Sequence, residues 1–351
     1  MKLVLIGKYY WPHLGGMERA LQDLAEGFLK EGFDVHVVVS HQKNQLQVDV
    51  VNGVTVHRMP TIGRFFNLPI TKWSRSYIKG LSPDILNIHL PNPIAMGVFN
   101  TLDFKKIYTL HTNRVSSPIV NFFHNKYLLW TLKKHKSQVI VTSQYLRQWL
   151  KRRNILSETV PLAIQSSPMV KNNNVKKYDL IFVGRLVKYK GIPILIKALK
   201  DTDKSLLIVG DGPKKKQLLK LIKSFGIQHR VKIVGEKRGE ALIKCIDESR
   251  VMVLPSINSS EAFGLCLLEG MRRGLPLITT RLDSGVREVN TVGVTGLEAL
   301  PKNANSLKKA IMEILEDDLN YENYSKNCYS RMSTDFCFNG YIKSYVEKLN
   351  L

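Results

Sequence analysis

KLVLIGKYYWPHLGGMERALQDLAEGFLKEGFDVHVVVS, residues 2–40, decides the fold. KLVLIG (2–7) is a short apolar run ending in glycine, the pattern of a strand buried on both faces. A loop with Pro12, Gly15 and Gly16 follows. In ERALQDLAEGFLKEG (18–32), Leu21, Leu24, Ala25, Phe28 and Leu29 recur at helical spacing, and Gly32 supplies the stop. DVHVVVS (34–40) is the next strand. Strand, loop, helix, strand is how a parallel sheet begins, because parallel neighbours need a crossover connection.

Working outward, VTVHRMP (54–60), DILNIHL (84–90), KIYTLH (106–111) and QVIVTS (138–143) extend the strand series, with VPLAI (160–164) as its expected end. The Asn- and Lys-rich stretch 171–177 reads as a linker. At 178 the alternation restarts with the strand YDLIFVGR, the helix IPILIKALK (192–200) and the strand SLLIVGDG (205–212). KKKQLLKLIKSFG (214–226), VKIVGE (231–236), RVMVLPS (250–256), GLCLLEGMRRG (264–274), PLITT (276–280) and SLKKAIMEILED (306–317) continue it. The pattern predicts two successive open α/β domains, 1–170 and 171–334, with a cleft between them. In DFCFNGYIKSYVEKL (335–349) apolar residues at 338, 342, 345, 346 and 349 predict a helix. We expect that segment, 335–351, to return and pack on the first domain.

A chain of 351 residues exceeds one comfortable core and suits two. Its four cysteines lie far apart with no CxxC pair, which fits a reduced compartment and no zinc site. The N-terminal apolar stretch is too short for a signal peptide, and no run approaches 18 apolar residues. The net charge of +23 implies an anionic partner. Between Phe104 and Ser157 there is no acidic residue against 11 Lys or Arg, and FFHNKYLLWTLKK (122–134) interleaves aromatic and basic positions. Attachment to an anionic membrane surface accounts for both features. Nucleic-acid binding accounts only for the charge. A generally lysine-rich composition is the bland alternative.

Five features fall just after expected strands, where open α/β sheets collect ligands. They are Gly15-Gly16, His111, Gly184-Arg185 with Lys190, the glycines 210 and 212, and SEAFG (260–264). A glycine pair is often simple turn chemistry, yet it also lets backbone approach a phosphate at a helix N-terminus. Arg185 as a fork and Lys190 as a point charge suit a pyrophosphate; solvated surface charge explains either one alone. No GKT or GKS follows the glycines, which argues against a P-loop. His111 is either a satisfied strand-end histidine or a hydrogen-bonding group for a substrate. In SEAFGLCLLEG (260–270), Glu269 falls inside an apolar helix, where a carboxylate needs donors such as sugar hydroxyls. Glu261 precedes the unpaired amides of the helix start around Phe263, Gly264 and Leu265. A capping acid plus a buried salt bridge is the structural alternative.

These residues resemble the large retaining glycosyltransferase family 4, with its two-Rossmann GT-B fold, over nearly the whole chain. The resemblance runs through YYWPHLGGMERALQDLAEGF (9–28), LNIHLPNP (86–93), TLHTN (109–113), FVGRLVKYKG (182–191), LLIVGDGP (206–213), LPSINSSEAFGLCLLEGMRRGLPLITT (254–280) and VGVTGL (292–297). Glu261 and Glu269 match the family's E-x7-E motif. The resemblance implies an acceptor-side first domain and a second domain that binds the nucleotide sugar. It implies that Gly15 and Gly16 meet the donor phosphates and sugar, and that His111 hydrogen-bonds the donor sugar. Arg185 and Lys190 would clamp the pyrophosphate. Glu261 would hold donor hydroxyls with the Phe263-Gly264-Leu265 backbone, Glu269 the ribose diol, and the loop at Gly235 would lie near the base. Three departures stand out: Thr112 and Asn113 follow the histidine where relatives often carry an acid, MRRG (271–274) replaces smaller residues, and EALP (298–301) follows TGL.

The implied reaction is sugar transfer from a UDP-sugar or GDP-mannose with retention at the anomeric carbon. No DxD motif sits at an expected strand edge, so neither metal nor other cofactor is expected. The acid-free basic stretch, with Lys133, Lys134, Lys136, Lys151, Arg152 and Arg153, suits a polyprenyl diphosphate-linked glycan at the cytoplasmic membrane face. That is the setting of relatives in bacterial surface-polysaccharide assembly, and no nucleic acid is expected as partner. A soluble acceptor and a catalytically silent glycan- or nucleic-acid-binding subunit are the rival readings.

Overall fold

The computed structural model describes residues 1–13, 15–43, 45–65, 68–115, 118–135, 137–165 and 175–349. They form two compact units, one from residues up to Gln165 with Phe338 onward, the other from the chain between. The expected boundary at 170/171 and positions 171–174 of the expected linker lie outside the described residues.

The first unit holds β1 (Lys2–Ile6), β2 (Asp34–Ser40), β3 (Val48–Val51), β4 (Val54–Met59), β5 (Thr61–Phe65) and β6 (Leu68–Thr71). It continues with β7 (Ile85–Leu90), β8 (Lys105–Leu110), β9 (Gln138–Val141) and β10 (Glu158–Thr159). Eight strands form one sheet in the order β10-β9-β8-β7-β1-β2-β4-β3, parallel except for β3, while β5 and β6 pair separately. Beyond Lys2, β1 and β7 are buried along their length, as mostly apolar strands require once helices cover both faces. Chain order runs outward in opposite directions from β1 and β7, so the carboxyl ends of those two strands form a topological switch point.

The helix Gly16–Lys30 buries Ala20, Leu21, Leu24, Ala25 and Phe28. Its Gly27 admits the helix Phe338–Lys348; a Cβ there would sit 2.2 Å from Ile342 Cδ1. Tyr345 of that helix reaches the sheet, accepting from Asn87 Nδ2 at 2.8 Å and hydrogen-bonding Thr109.

VPLAI (160–164) is not a strand. The pairing beside β9 is made by Glu158 and Thr159, and Val160 N–H still donates to Val141 O at 2.9 Å. Pro161 has no N–H to continue the ladder. Among the described residues, no helix is long and apolar enough to cross a membrane.

The second unit contains β11 (Tyr178–Val183), β12 (Leu206–Val209), β13 (Val231–Ile233), β14 (Ser249–Leu254), β15 (Leu277–Thr280) and β16 (Gly296–Ala299). All pair in parallel in the order β13-β12-β11-β14-β15-β16, which places this sheet's switch point between β11 and β14. A helix that sequence patterning passed over, Asp318–Thr334, packs on the helices Leu265–Arg272 and Ala304–Glu316 and buries Tyr324, Cys328 and Met332, four residues apart on one face of an otherwise polar segment. The four cysteines are free.

Candidate active site

In the first unit, the loop after β1 and the start of the helix Gly16–Lys30 meet at the switch point. A small pocket there is lined by Gly7, Lys8, Tyr9, Met17, Glu18, Leu21 and His89. Gly15 is the residue before the helix, with extended backbone, and Gly16 is its first residue. Amides of a first helical turn have no intrahelical partner, so this end suits a phosphate or a sugar oxygen.

His111 follows β8 and is 3% exposed. Its Nε2 lies 2.9 Å from Nδ1 of His89 on the neighbouring strand, with the rings stacked at 5.1 Å. Two residues earlier on the same face, Thr109 Oγ1 donates to Asn87 Oδ1 at 2.8 Å. These two cross-strand contacts set four buried polar side chains side by side, with the Tyr345 hydroxyl bonded to two of them. Burial pushes His111 down to about 4 and His89 well below the ordinary histidine value, so both rings are neutral near pH 7. His111 Nδ1 and His89 Nε2 are buried without a hydrogen-bond partner.

In the second unit, Lys190 ends a short turn after β11, and Glu261 lies in the loop between β14 and the helix Leu265–Arg272. The two loops are tied at backbone level, since Ile257 N–H donates to Tyr189 O at 2.8 Å. Gly191 makes that approach possible: its φ is +69°, and a Cβ would sit 1.9 Å from Pro255 O. As a result Lys190 Nζ reaches Glu261 Oε2 at 2.6 Å, and Ser256 Oγ donates to the same oxygen at 2.8 Å. Lys190 is 8% exposed and Glu261 6%. Burial works against the Lys190 charge, but the Glu261 carboxylate and other nearby groups outweigh it and hold its pKa above the ordinary lysine value. Two residues assigned separate tasks by sequence are therefore one ion pair.

Arg185 stands exposed in the same loop as Lys190. Phe263 is buried against Phe336, Gly264 precedes the helix with φ +82°, and Leu265 opens it. Glu269 is half-buried one helical turn further along than Leu265. Gly235 follows β13, and its carbonyl accepts from Gly210 N–H at 2.8 Å. Cys266, near Lys190 and Glu261 and half-buried, has its thiol pushed up to about 12, chiefly by burial, so it is protonated near pH 7.

The basic residues occupy two helix ends in the first unit. Lys133 and Lys134 are exposed at the end of the helix Pro118–His135, with Lys134 Nζ 4.9 Å from the Trp130 ring. Lys151 and Arg152 are exposed at the end of Gln144–Lys151, and Arg153 lies over Trp149 at 4.4 Å. Lys136 lies outside the described residues. Ile119, Phe122, Phe123 and Trp130 stand exposed on the first of these helices.

Sequence reading gave no task to His89 or Ser256. A signal for His89 was present: Asn87 and His89 are polar residues two apart in a strand whose other positions are apolar.

Glycosyltransferase Family 4 matches residues 14–164, and Glycosyl transferases group 1 matches 164–331. D-rhamnosyltransferase WbpZ of Pseudomonas aeruginosa is 26% identical over 91% of this chain and 87% of its own. O-antigen chain mannosyltransferase C of Escherichia coli is 24% identical over 99% and 97%. Among solved structures, Anabaena Alr3699/HepE in complex with UDP superposes with a TM-score of 0.81 at 19% identity, covering all of both chains.

Proposed function

We propose that this chain, which has the GT-B fold and is related to glycosyltransferase family 4 and to the group 1 glycosyl transferases, is a nucleotide-sugar-dependent glycosyltransferase that transfers a hexose or N-acetylhexosamine with retention and without a metal ion. The donor is a UDP-sugar or GDP-mannose, and the acceptor a polyprenyl diphosphate-linked glycan. The observation that carries this reading is the buried Lys190–Glu261 pair beside exposed Arg185 at a topological switch point. The departing nucleoside diphosphate gathers negative charge as its bond to the anomeric carbon breaks. Arg185 and Lys190 neutralise that charge from fixed positions, which lowers the barrier.

In this scheme the acceptor hydroxyl attacks the face that the diphosphate leaves, and a leaving phosphate oxygen takes the hydroxyl proton. Glu261 and the Phe263-Gly264-Leu265 backbone hold donor hydroxyls, and Glu269 holds the ribose diol. The Gly235 loop lies near the base, Gly15-Gly16 meets phosphate and sugar, and His111 hydrogen-bonds the donor sugar. All are positioning or charge-stabilising tasks. Incubation with UDP-glucose, UDP-N-acetylglucosamine or GDP-mannose and a polyprenyl diphosphate glycan in EDTA is expected to give a product with the donor's own anomeric configuration. An inverted product, or turnover abolished by EDTA, contradicts the scheme.

The enzyme works at the cytoplasmic membrane face. Exposed Phe122, Phe123 and Trp130 beside Lys133 and Lys134 combine apolar insertion with attraction to anionic headgroups. Neutralising Lys133, Lys134, Lys136, Lys151, Arg152 and Arg153 together is expected to release the protein from phosphatidylglycerol vesicles at moderate salt. Unchanged co-sedimentation would refute the assignment of that surface.

A further inference from the structure

His89 is 3% exposed, lines the small pocket at the first unit's switch point, and shares one hydrogen bond with His111. One nitrogen of each ring is spent on that bond, and the other nitrogen of each is buried without a partner. We propose that His89 is a positioning residue for His111, and that the two rings form a coupled pair in which each fixes the other's tautomer. The proposal deepens the task given to His111 above and rests on that reading for its catalytic part.

Two neutral imidazoles carry two N–H protons between them. One proton must lie in the bond between His89 Nδ1 and His111 Nε2. If His89 donates it, His111 is bare at Nε2 and so carries its own proton on Nδ1. If His111 donates it, His89 is bare at Nδ1 and carries its proton on Nε2. Both rings are thus Nδ1–H, or both are Nε2–H. In either case the free ends of the pair present one donor and one lone pair. A group that binds at the His89 end by donating a hydrogen makes the His111 end a donor, and a group that accepts there makes it an acceptor. Passing from one arrangement to the other takes one proton in at one free end and gives one out at the other as the shared proton crosses, so each ring stays neutral, which suits a buried site. His111 thereby meets its ligand in one orientation and one protonation pattern.

The first test needs no variant. Long-range 15N–1H correlation of the wild-type protein at pH 7.5 is expected to show one common tautomer for His89 and His111. Opposite tautomers would overturn the pair. The second test uses side chains that imitate one nitrogen each. His89→Asn places an amide near the former Nδ1 and keeps a partner for His111; His89→Gln reaches the Nε2 position instead; His89→Phe keeps neither. Hydrolysis of UDP-glucose and of GDP-mannose is followed for each variant, with folding checked by circular dichroism. His89→Asn is expected to stay within about 10-fold of wild type in kcat, with Gln and Phe about 100-fold down, the scale of a misplaced reacting group. Gln matching or exceeding Asn, or Phe retaining wild-type kcat, would overturn the positioning role. If the wild type turns over neither donor, the transferase reading is what fails, and the common tautomer is still decided by the spectrum.

Discussion

Lys190→Met is expected to lower transfer by about 100- to 1,000-fold, the range seen when one preorganised charge-stabilising group is removed. The same change is expected to cost the second unit about 3–5 kcal/mol, because it takes the opposing charge from a Glu261 carboxylate that stays buried against the Ser256 hydroxyl. Those two losses have different causes and come apart in a double variant. Lys190→Met with Glu261→Gln removes both charges, keeps the volume, and leaves Ser256 an amide to bond. Replacing a buried pair by neutral groups is often nearly neutral for stability. Unfolding in urea, followed by far-ultraviolet circular dichroism, should therefore recover in the double variant while transfer stays low. A single variant as stable as wild type would show that the pair does not hold the fold, and a double variant that regains turnover would show that its charges do not act on the donor.

Stability of the first unit is expected to fall as pH is lowered from about 7 to 4. Its histidines 57, 89, 111 and 124 are all held below the ordinary histidine value, chiefly by burial, with His57 and His111 at about 4. Between the ordinary value of 6.5 and about 4 the unfolded chain binds these protons and the folded chain does not, so acid favours unfolding across that window. Asp23 acts in the opposite sense. Burial, outweighing Arg19, raises its carboxyl to about 6, so the folded state takes up that proton first and gains stability as pH falls. Four histidines against one carboxyl leave a net loss, at up to about 1.4 kcal/mol per pH unit for each unbalanced group. All four tryptophans (11, 73, 130 and 149) belong to the first unit, so their fluorescence reports its unfolding alone. A urea midpoint that is flat or rises between pH 7 and 5 contradicts the neutral, buried state of the histidines.

The sequence pattern marks the strands and helices that build both switch points, because buried parallel strands leave unbroken apolar runs and their crossover helices leave a 3.6-residue period. It also marks Glu261, Lys190 and His111 as strand-end residues. It does not show that Lys190 and Glu261 touch. That contact depends on two loops about 70 residues apart meeting at Gly191 and Pro255, a tertiary fact with no local signature. His89 escapes notice for a related reason: Asn87 and His89 mark one side of their strand as polar, but the sequence does not show that His111, on the neighbouring strand, is the partner. The helix Asp318–Thr334 is missed because its three buried residues are spread thinly through a polar segment.

The most direct test of the donor site is thermal unfolding of the wild type and of Glu269→Ala in EDTA, with UDP-, GDP-, ADP- and dTDP-sugars each added in turn. One nucleotide sugar should raise the unfolding temperature of the wild type and leave Glu269→Ala unmoved, since binding to the native state alone stabilises it. No stabilisation by any of them, or an equal rise in Glu269→Ala, would contradict a nucleotide-sugar site built on this helix.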